Sequence, residues 1–442
     1  MSPVSRRSVV RRSIFHRTVG WLLLGLVALG GSLAAQDAPD ADSIPSTGVL
    51  DRRMMGFDLA IREFLAEQQI PGAAVAVTDQ GRLVFARGYG YADPETEQQV
   101  EPASLFRIAS VSKPITAVAI LTLVHQGKLD LDTPYLEILD LEDEIAAAGD
   151  SFDPRQRDVT VRFLLQHRGG WDRDASFDPM FRSVPFARAQ NVLPPAGPNT
   201  VIAAMMSHKL DFNPGEKYAY SNYGYCLLGR IVEQLSGQTY EEFVREEVLR
   251  PMRIRSMRIG ATRLAGRAEG EVRYFASGEG RSVFADDLNQ AVPHPYGAWY
   301  LEAMDAHGGW IASAPDLARF AVALDDPRRC RMLGPAELAE IIARPNGLAG
   351  HDADGKPKDA FYGLGWMVRP VGDRRNLWHS GSLPGTATIV IRRNDGRNFV
   401  CLLNTRESPR GDNINQLIDR LMHEAASKVE TWPNRNLFDQ FD

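Results

Sequence analysis

Apolar residues recur at helical spacing between positions 49 and 69 (Leu50, Met54, Phe57, Leu59, Ile61, Phe64 and Leu65), and Pro71-Gly72 closes the pattern. That spacing predicts an amphipathic helix. Two runs of strand character follow, 73–78 and 83–91, around Asp79-Gln80-Gly81, which reads as a hairpin turn. Positions 115–124 are apolar on nearly all sides and end at Gly127, as in a helix buried at the centre of a protein. From about 128 to 346, helical patterns (161–166, 225–235, 240–249, 315–324 and 335–343) alternate with Pro-rich and Gly-rich loops. Strand character returns in four short runs, 363–369, 376–379, 386–392 and 398–404, with turns at Gly372-Asp373 and Asn394-Asp395-Gly396. A last amphipathic helix is predicted over 414–428. Both chain ends thus supply strands and a helix, and the middle supplies helices. The expected fold class is α+β: one antiparallel sheet built from both ends, flanked by terminal helices, with a mostly helical subdomain inserted between them.

Composition adds little for the body of the chain: 44% hydrophobic and 24% charged residues are ordinary for a soluble globular protein. The amino end changes the picture. Arg6, Arg7, Arg11, Arg12 and Arg17 precede an apolar run at 19–29, and Ser32-Leu33-Ala34-Ala35 offers a small-residue cleavage site. A signal peptide over 1–35 is expected, and with it an exported, periplasmic or extracellular protein; an uncleaved segment would instead anchor the chain in a membrane. Removing 1–35 takes away five arginines and no acid, so the formal charge moves from −6 to −11. An acidic protein of this kind is not expected to bind nucleic acid. Cys226, Cys330 and Cys401 lie in or beside apolar runs and read as buried free thiols, with no zinc-like spacing. No metal and no cofactor is expected.

The candidate chemistry centres on Ser110 in Phe106-Arg107-Ile108-Ala109-Ser110-Val111-Ser112-Lys113-Pro114. A lysine three residues after a serine shares its face of a helical turn, so Lys113 can reach the Ser110 hydroxyl. Lys113 is the only lysine of the chain in that position after a serine. Unpaired N–H groups at a helix start suit an oxyanion formed when the serine attacks a carbonyl. Two further clusters stand out: Tyr218-Ala219-Tyr220-Ser221-Asn222 just before a helix, and Trp378-His379-Ser380-Gly381-Ser382 on a late strand. Neither a Gly-x-Ser-x-Gly elbow nor a His-Glu-x-x-His motif occurs.

Ser-x-x-Lys, Tyr-x-Asn and a basic residue-x-Gly, in that order, resemble the penicillin-recognising serine hydrolases of the class C β-lactamase type, with their DD-peptidase, esterase and D-aminopeptidase relatives. The resemblance runs from about 48 to 428 and includes Gly308-Gly309, similar to the family's Gly-Gly-x-x-(Ser/Thr) stretch. It implies a β-lactamase/transpeptidase-like domain over 48–430, with its α/β part at 48–112 and 361–430 and its helical part at 113–360. A flexible leader at 36–47 and a tail at 431–442 complete the expected organisation.

By the same resemblance, Ser110 is the acylated nucleophile, and Lys113 and Tyr220 share the proton work. Asn222 contacts Lys113 and the substrate amide, the Ser382 N–H joins that of Ser110 as oxyanion donor, and His379-Ser380-Gly381 forms the third motif beside the substrate. An ionised Tyr220 would need its pKa lowered from about 10 by three units, roughly 4 kcal/mol. A charged Lys113 at about 4 Å supplies that much at an effective dielectric of 20, and desolvation opposes it. The pair is therefore expected to act as the base, with the proton unassigned. Many members carry Lys where His379 stands. With an ordinary pKa near 6.5, His379 is expected to bind carboxylates less well as pH rises. Trp310, Arg406 and the 167–172 segment are further candidates for lining or shaping the cleft.

The expected activity is hydrolysis of an ester or amide in a small-molecule or peptide substrate through an acyl-enzyme, as in a carboxylesterase or a D-amino-acid peptidase. The alternatives are a class C-like β-lactamase and a penicillin- or peptidoglycan-binding protein with little turnover.

Overall fold

Short apolar runs drawn from both chain ends form one antiparallel sheet with two buried faces. The computed structural model describes residues 40–326 and 330–442; the expected signal peptide over 1–35 lies outside them. The strands are β1 (Ser46–Thr47), β2 (Gly72–Asp79), β3 (Arg82–Asp93), β4 (Gln98–Gln99), β5 (Phe361–Tyr362), β6 (Met367–Val371), β7 (Arg374–Leu383), β8 (Thr386–Arg392) and β9 (Arg397–Leu403). They run in the order β1-β3-β2-β9-β8-β7-β6-β5, with β4 on β3. The β2–β3 hairpin turns at Gln80 and Gly81, both in the left-handed region, as a tight hairpin requires. The chain ends meet where β2 pairs with β9, from Ala73↔Leu403 to Asp79↔Arg397.

Side-chain alternation assigns the two faces. On β9, Phe399, Cys401 and Leu403 point into one layer, and Val400 and Leu402 into the other. The first layer is closed by α1 (Met55–Glu67) and by the C-terminal helix Ile414–Ser427, through Phe57, Ile61, Leu65, Ile418 and Met422. The second holds α2 (Ser112–His125), α3 (Asn222–Ser236) and α4 (Ala314–Ala323). Small residues of β2 on that face, Ala74 and Ala76, let α4 come close to the sheet. Helix α2 is buried from Ser112 through Leu123, as its all-round apolar sequence predicts.

The structure departs from expectation in four places. Ser46–Thr47, expected in the leader, pairs with β3, because Ser46↔Tyr89 and Thr47↔Gly88 extend the sheet edge. In the expected tail, Leu437 and Phe438 are buried, and the Leu437 N–H donates to the Leu83 carbonyl. The run at 363–369 is a strand only from Met367; Gly363 to Trp366 form a turn before it, in which the Gly363 N–H donates to the Trp366 carbonyl. The helical middle contains β-structure as well: Arg258–Ile259 and Trp310–Ala312 form a small sheet with Phe106–Arg107, and Glu279–Arg281 pairs with Ala291–Pro293. These strands have two or three residues each, too short for a period of two to be read. Among the described residues no helix is long and apolar enough to cross a membrane.

Candidate active site

The segment in front of Ser110 is pinned from several sides. The Arg107 guanidinium is buried, 4.4 Å from the centre of the Tyr274 ring, and donates to the carbonyls of Pro295, Ala261 and Thr262. Thr386 and Thr388 on β8 donate to the carbonyls of Arg107 and Ile108, each at 2.8 Å. Ala109 then takes φ +47°, a left-handed conformation rare outside glycine. Strain of this kind, about 1–2 kcal/mol, persists only where the surroundings enforce it. The result is a single 3₁₀ turn, Ala109–Val111, that presents Ser110 immediately before α2.

Gly381 lets β7 lie directly against this turn. A Cβ there would sit inside the van der Waals radii of the Ile108 carbonyl and Thr388 Oγ1, and 3.1 Å from Ala109 Cβ. Ser382, the next residue, lines the same cavity as Ser110.

Lys113, the second residue of α2, follows Ser110 by about one turn, with its Nζ 3.1 Å from Ser110 Oγ. The same nitrogen donates to Asn222 Oδ1 at 2.7 Å and to the His307 carbonyl at 3.0 Å. The motif Tyr220-Ser221-Asn222 is a helix start. Ser221 is the N-cap, itself extended, and accepts from the Gly224 N–H, so Asn222 is the first residue of α3 and Tyr220 stands just ahead of the cap. Tyr220 places its hydroxyl 2.8 Å from Ser110 Oγ.

The electrostatics separate Lys113 from Tyr220. Lys113 is fully buried, and desolvation drives its pKa well below the usual value; the Asp178 carboxylate opposes this, and Arg173 adds to it. Tyr220 moves the other way: burial raises its phenol, and its hydrogen bond to Ser110 only partly offsets that. Two of the three Lys113 contacts, an amide oxygen and a carbonyl, can only accept. In the neutral amine they take both N–H bonds, and the lone pair is left for the Ser110 hydroxyl. Tyr220 stays a neutral phenol that donates toward the same oxygen.

His167, at the start of the 167–172 segment, holds Tyr220 in place. Its ring packs 4.3 Å from that of Tyr220, and its Nδ1 accepts from the Ser221 N–H at 3.1 Å. Its carbonyl accepts from the Ala219 N–H.

His379 corrects the sequence expectation. It is buried, its Nδ1 bonds to the Ser380 carbonyl at 2.8 Å, and its Nε2 lies 2.9 Å from the Tyr362 hydroxyl. The carbonyl requires a proton on Nδ1, so Nε2 accepts from Tyr362. Burial, reinforced by Lys113, pushes its pKa down to about 3. The ring is therefore neutral throughout the working range and supplies no titrating cation for a carboxylate. Trp310 is core, with its indole donating to the Tyr240 hydroxyl at 3.1 Å. Arg406 does line the cavity.

That cavity measures about 460 Å³ and is lined by Ser110, Asn222, Arg173, His307, Ser382 and Arg406 among others. Arg173 stands with its guanidinium 4.4 Å from the centre of the Tyr220 ring. Its place at the site was not legible in the sequence, nor was that of Asp178, because both lie in an irregular loop whose spacing gives no face or period. Among the described residues no group of three or more His, Cys, Asp or Glu side chains is placed to hold a metal ion.

His167, His307 and His379 are all buried, with desolvation as the largest cause lowering each pKa below the ordinary value. The unfolded chain thus binds protons that the folded chain refuses, and stability should rise with pH through the unfolded value near 6.5. Between pH 5.5 and 6.5 the three together give a slope of up to about 4 kcal/mol per pH unit. Urea midpoints measured from pH 5.5 to 8 check this. In His379→Gln the slope should fall by about a third, and an unchanged slope would contradict the buried neutral ring.

The family model described as Beta-lactamase matches residues 57–422. Penicillin-binding protein 4* of Bacillus subtilis (strain 168) is 28% identical over 351 residues, covering 78% of this chain and 70% of the relative. Protein flp of Staphylococcus aureus (strain COL) is 24% identical over 357 residues, covering 80% of this chain but only 64% of flp, so this chain spans less than two thirds of that relative. Among solved structures, the D-amino acid amidase from Ochrobactrum anthropi SV3 complexed with D-phenylalanine has a TM-score of 0.64 at 22% identity, covering 86% of this chain and all of the amidase. That likeness is one of fold.

Proposed function

The chain belongs to the beta-lactamase family of serine hydrolases, and from that premise we propose that it forms an acyl-enzyme at Ser110 and hydrolyses an ester or an amide. One observation carries the reading: a buried amine and a neutral phenol converge on Ser110 Oγ at 3.1 and 2.8 Å, in a cavity of about 460 Å³. Lys113 takes the Ser110 proton as Oγ attacks the substrate carbonyl, forming the C–O bond of the tetrahedral intermediate. The N–H groups of Ser110 and Ser382 are the proposed oxyanion donors. Tyr220 passes a proton to the departing amine or alkoxide and regains one from the Lys113 ammonium, which carries the proton taken from Ser110. Water then repeats the sequence on the acyl-enzyme. The arginine-flanked apolar run ahead of residue 36 supports an exported protein.

An amide or peptide bearing a D-residue is favoured by the fold shared with the D-amino acid amidase. A second reading, a protein acylated by penicillin with slow turnover, is favoured by the relative named penicillin-binding protein 4*. Weighing against efficient β-lactam hydrolysis is His379, which is neutral where many relatives carry a permanent cation.

The test is intact-protein and peptide mass spectrometry after treatment with a fluorophosphonate and, separately, a penicillin. The adduct is expected on the peptide containing Ser110, and an adduct elsewhere would sink the reading. A penicillin adduct that persists for hours points to the binder. Turnover of nitrophenyl esters, D-alanyl peptides and a chromogenic cephalosporin orders the substrates.

A further inference from the structure

Asn222 can place either its oxygen or its nitrogen toward Lys113, and only the oxygen is useful there. Asp178 decides between them. One carboxylate oxygen, Oδ2, accepts from Asn222 Nδ2 at 2.6 Å, and the other, Oδ1, accepts from the Met180 N–H at 3.1 Å. Both partners are donors, so the site calls for two acceptor oxygens, which a carboxylate has and an asparagine lacks. With Nδ2 turned to Asp178, Oδ1 faces Lys113 at 2.7 Å.

We propose that Asp178 is a positioning residue for the reaction at Ser110: it fixes the Asn222 amide against Lys113 and holds a negative charge near that amine. This rests on the reading of Lys113 as the base. The other groups that face Lys113 from the elements around it are neutral or positive. On the α3 side are the rings of Tyr220 and Tyr225, 4.7 and 5.6 Å from Nζ. His307 presents its carbonyl, and its imidazole is kept neutral, as are those of His167 and His379. Arg173 adds a positive charge from the same loop as Asp178. Asp178 therefore balances two demands: enough negative charge to tolerate a protonated Lys113 after it has taken the serine proton, and too little to keep it protonated before. Its own carboxyl is pushed upward by burial and held back by the bond from Asn222.

The two functions are separable by experiment. The acylation burst with nitrophenyl acetate is measured from pH 5 to 9 for the wild type, Asp178→Asn and Asp178→Ser, with thermal unfolding recorded for each. Without the carboxylate, the amine loses its stabilising charge and is neutral at lower pH. The acid limb of the acylation rate should then move down by about one pH unit. The plateau above the limb should fall by about tenfold, because the amide is free to turn. A folded Asp178→Asn enzyme whose acid limb stays in place, or moves up, overturns the proposal; a purely structural role would lower the plateau and leave the limb. Asp178→Ser carries the same test should Asp178→Asn fail to fold. A wild type that forms no fluorophosphonate adduct at Ser110 would strike at the acyl-enzyme reading itself, and is thereby distinguished from a failure at Asp178.

Discussion

Lys113→Met is expected to lower the acylation rate of Ser110 by about 10³-fold, some 4 kcal/mol of barrier, while leaving the protein folded. The methionine fills nearly the same volume, and α2 keeps its packing. Removing the desolvated amine relieves the fold. Orphaning the Asn222 oxygen and the His307 carbonyl, two buried acceptors, opposes that relief. The opposing effects leave the melting temperature within a few degrees of the wild type. Near-normal acylation in Lys113→Met would move the base to Tyr220, against the direction of its titration.

Tyr220→Phe provides the internal comparison. It keeps the ring packed against His167 and removes only the donor to Ser110. A nitrophenolate leaves without needing a proton, whereas an amine does need one. The variant should therefore lose far more activity on amides, about 10²-fold, than on nitrophenyl esters.

Gly381→Ala should damage stability and catalysis together. The added methyl would press on the Ile108 carbonyl, which is backbone and already accepts from Thr388. Either β7 leaves the sheet edge of the site or the Ser110 turn is displaced. Overpacking of this kind costs about 1–3 kcal/mol. A shift of about 1 Å in the nucleophile removes about 10²-fold in rate. Gly56→Ala is the matched control: nothing lies within 4 Å of its Cβ, and it sits within α1. There the same change should stabilise by about 1 kcal/mol. Equal effects of the two substitutions in denaturant titrations would remove the argument from close approach.

Much of the sheet was legible because its central strands are short apolar runs, buried on both faces, and its hairpins carry Gln80-Gly81 and Asp395-Gly396. The small strands around Phe106 and Trp310 were not, since two or three residues show no period. At the site, the motif order brought Ser110, Lys113, Tyr220 and Asn222 to one place across 110 positions of chain. The state of His379 was hidden. A strand pattern says which residues share a face, and it does not say whether a tyrosine from another strand, Tyr362 of β5, will meet the ring there. Asp178 was hidden for a related reason. Asp-Pro reads as a turn start, and Asp178 does cap the turn Pro179–Phe181. Its second task, toward Asn222, leaves no local mark.

The join between β2 and β9 sets a timetable for biosynthesis. Asp79 meets Arg397 318 residues later. At roughly 5–20 residues per second, a ribosome completes the first hairpin about 15–60 s before it delivers the strand that β2 must pair with. Throughout that interval β2 is an open edge of alanine and valine with unpaired backbone groups, a surface prone to mispairing. Whatever keeps the nascent chain soluble must guard the Gly72–Asp79 edge until the last fifth of the polypeptide has emerged.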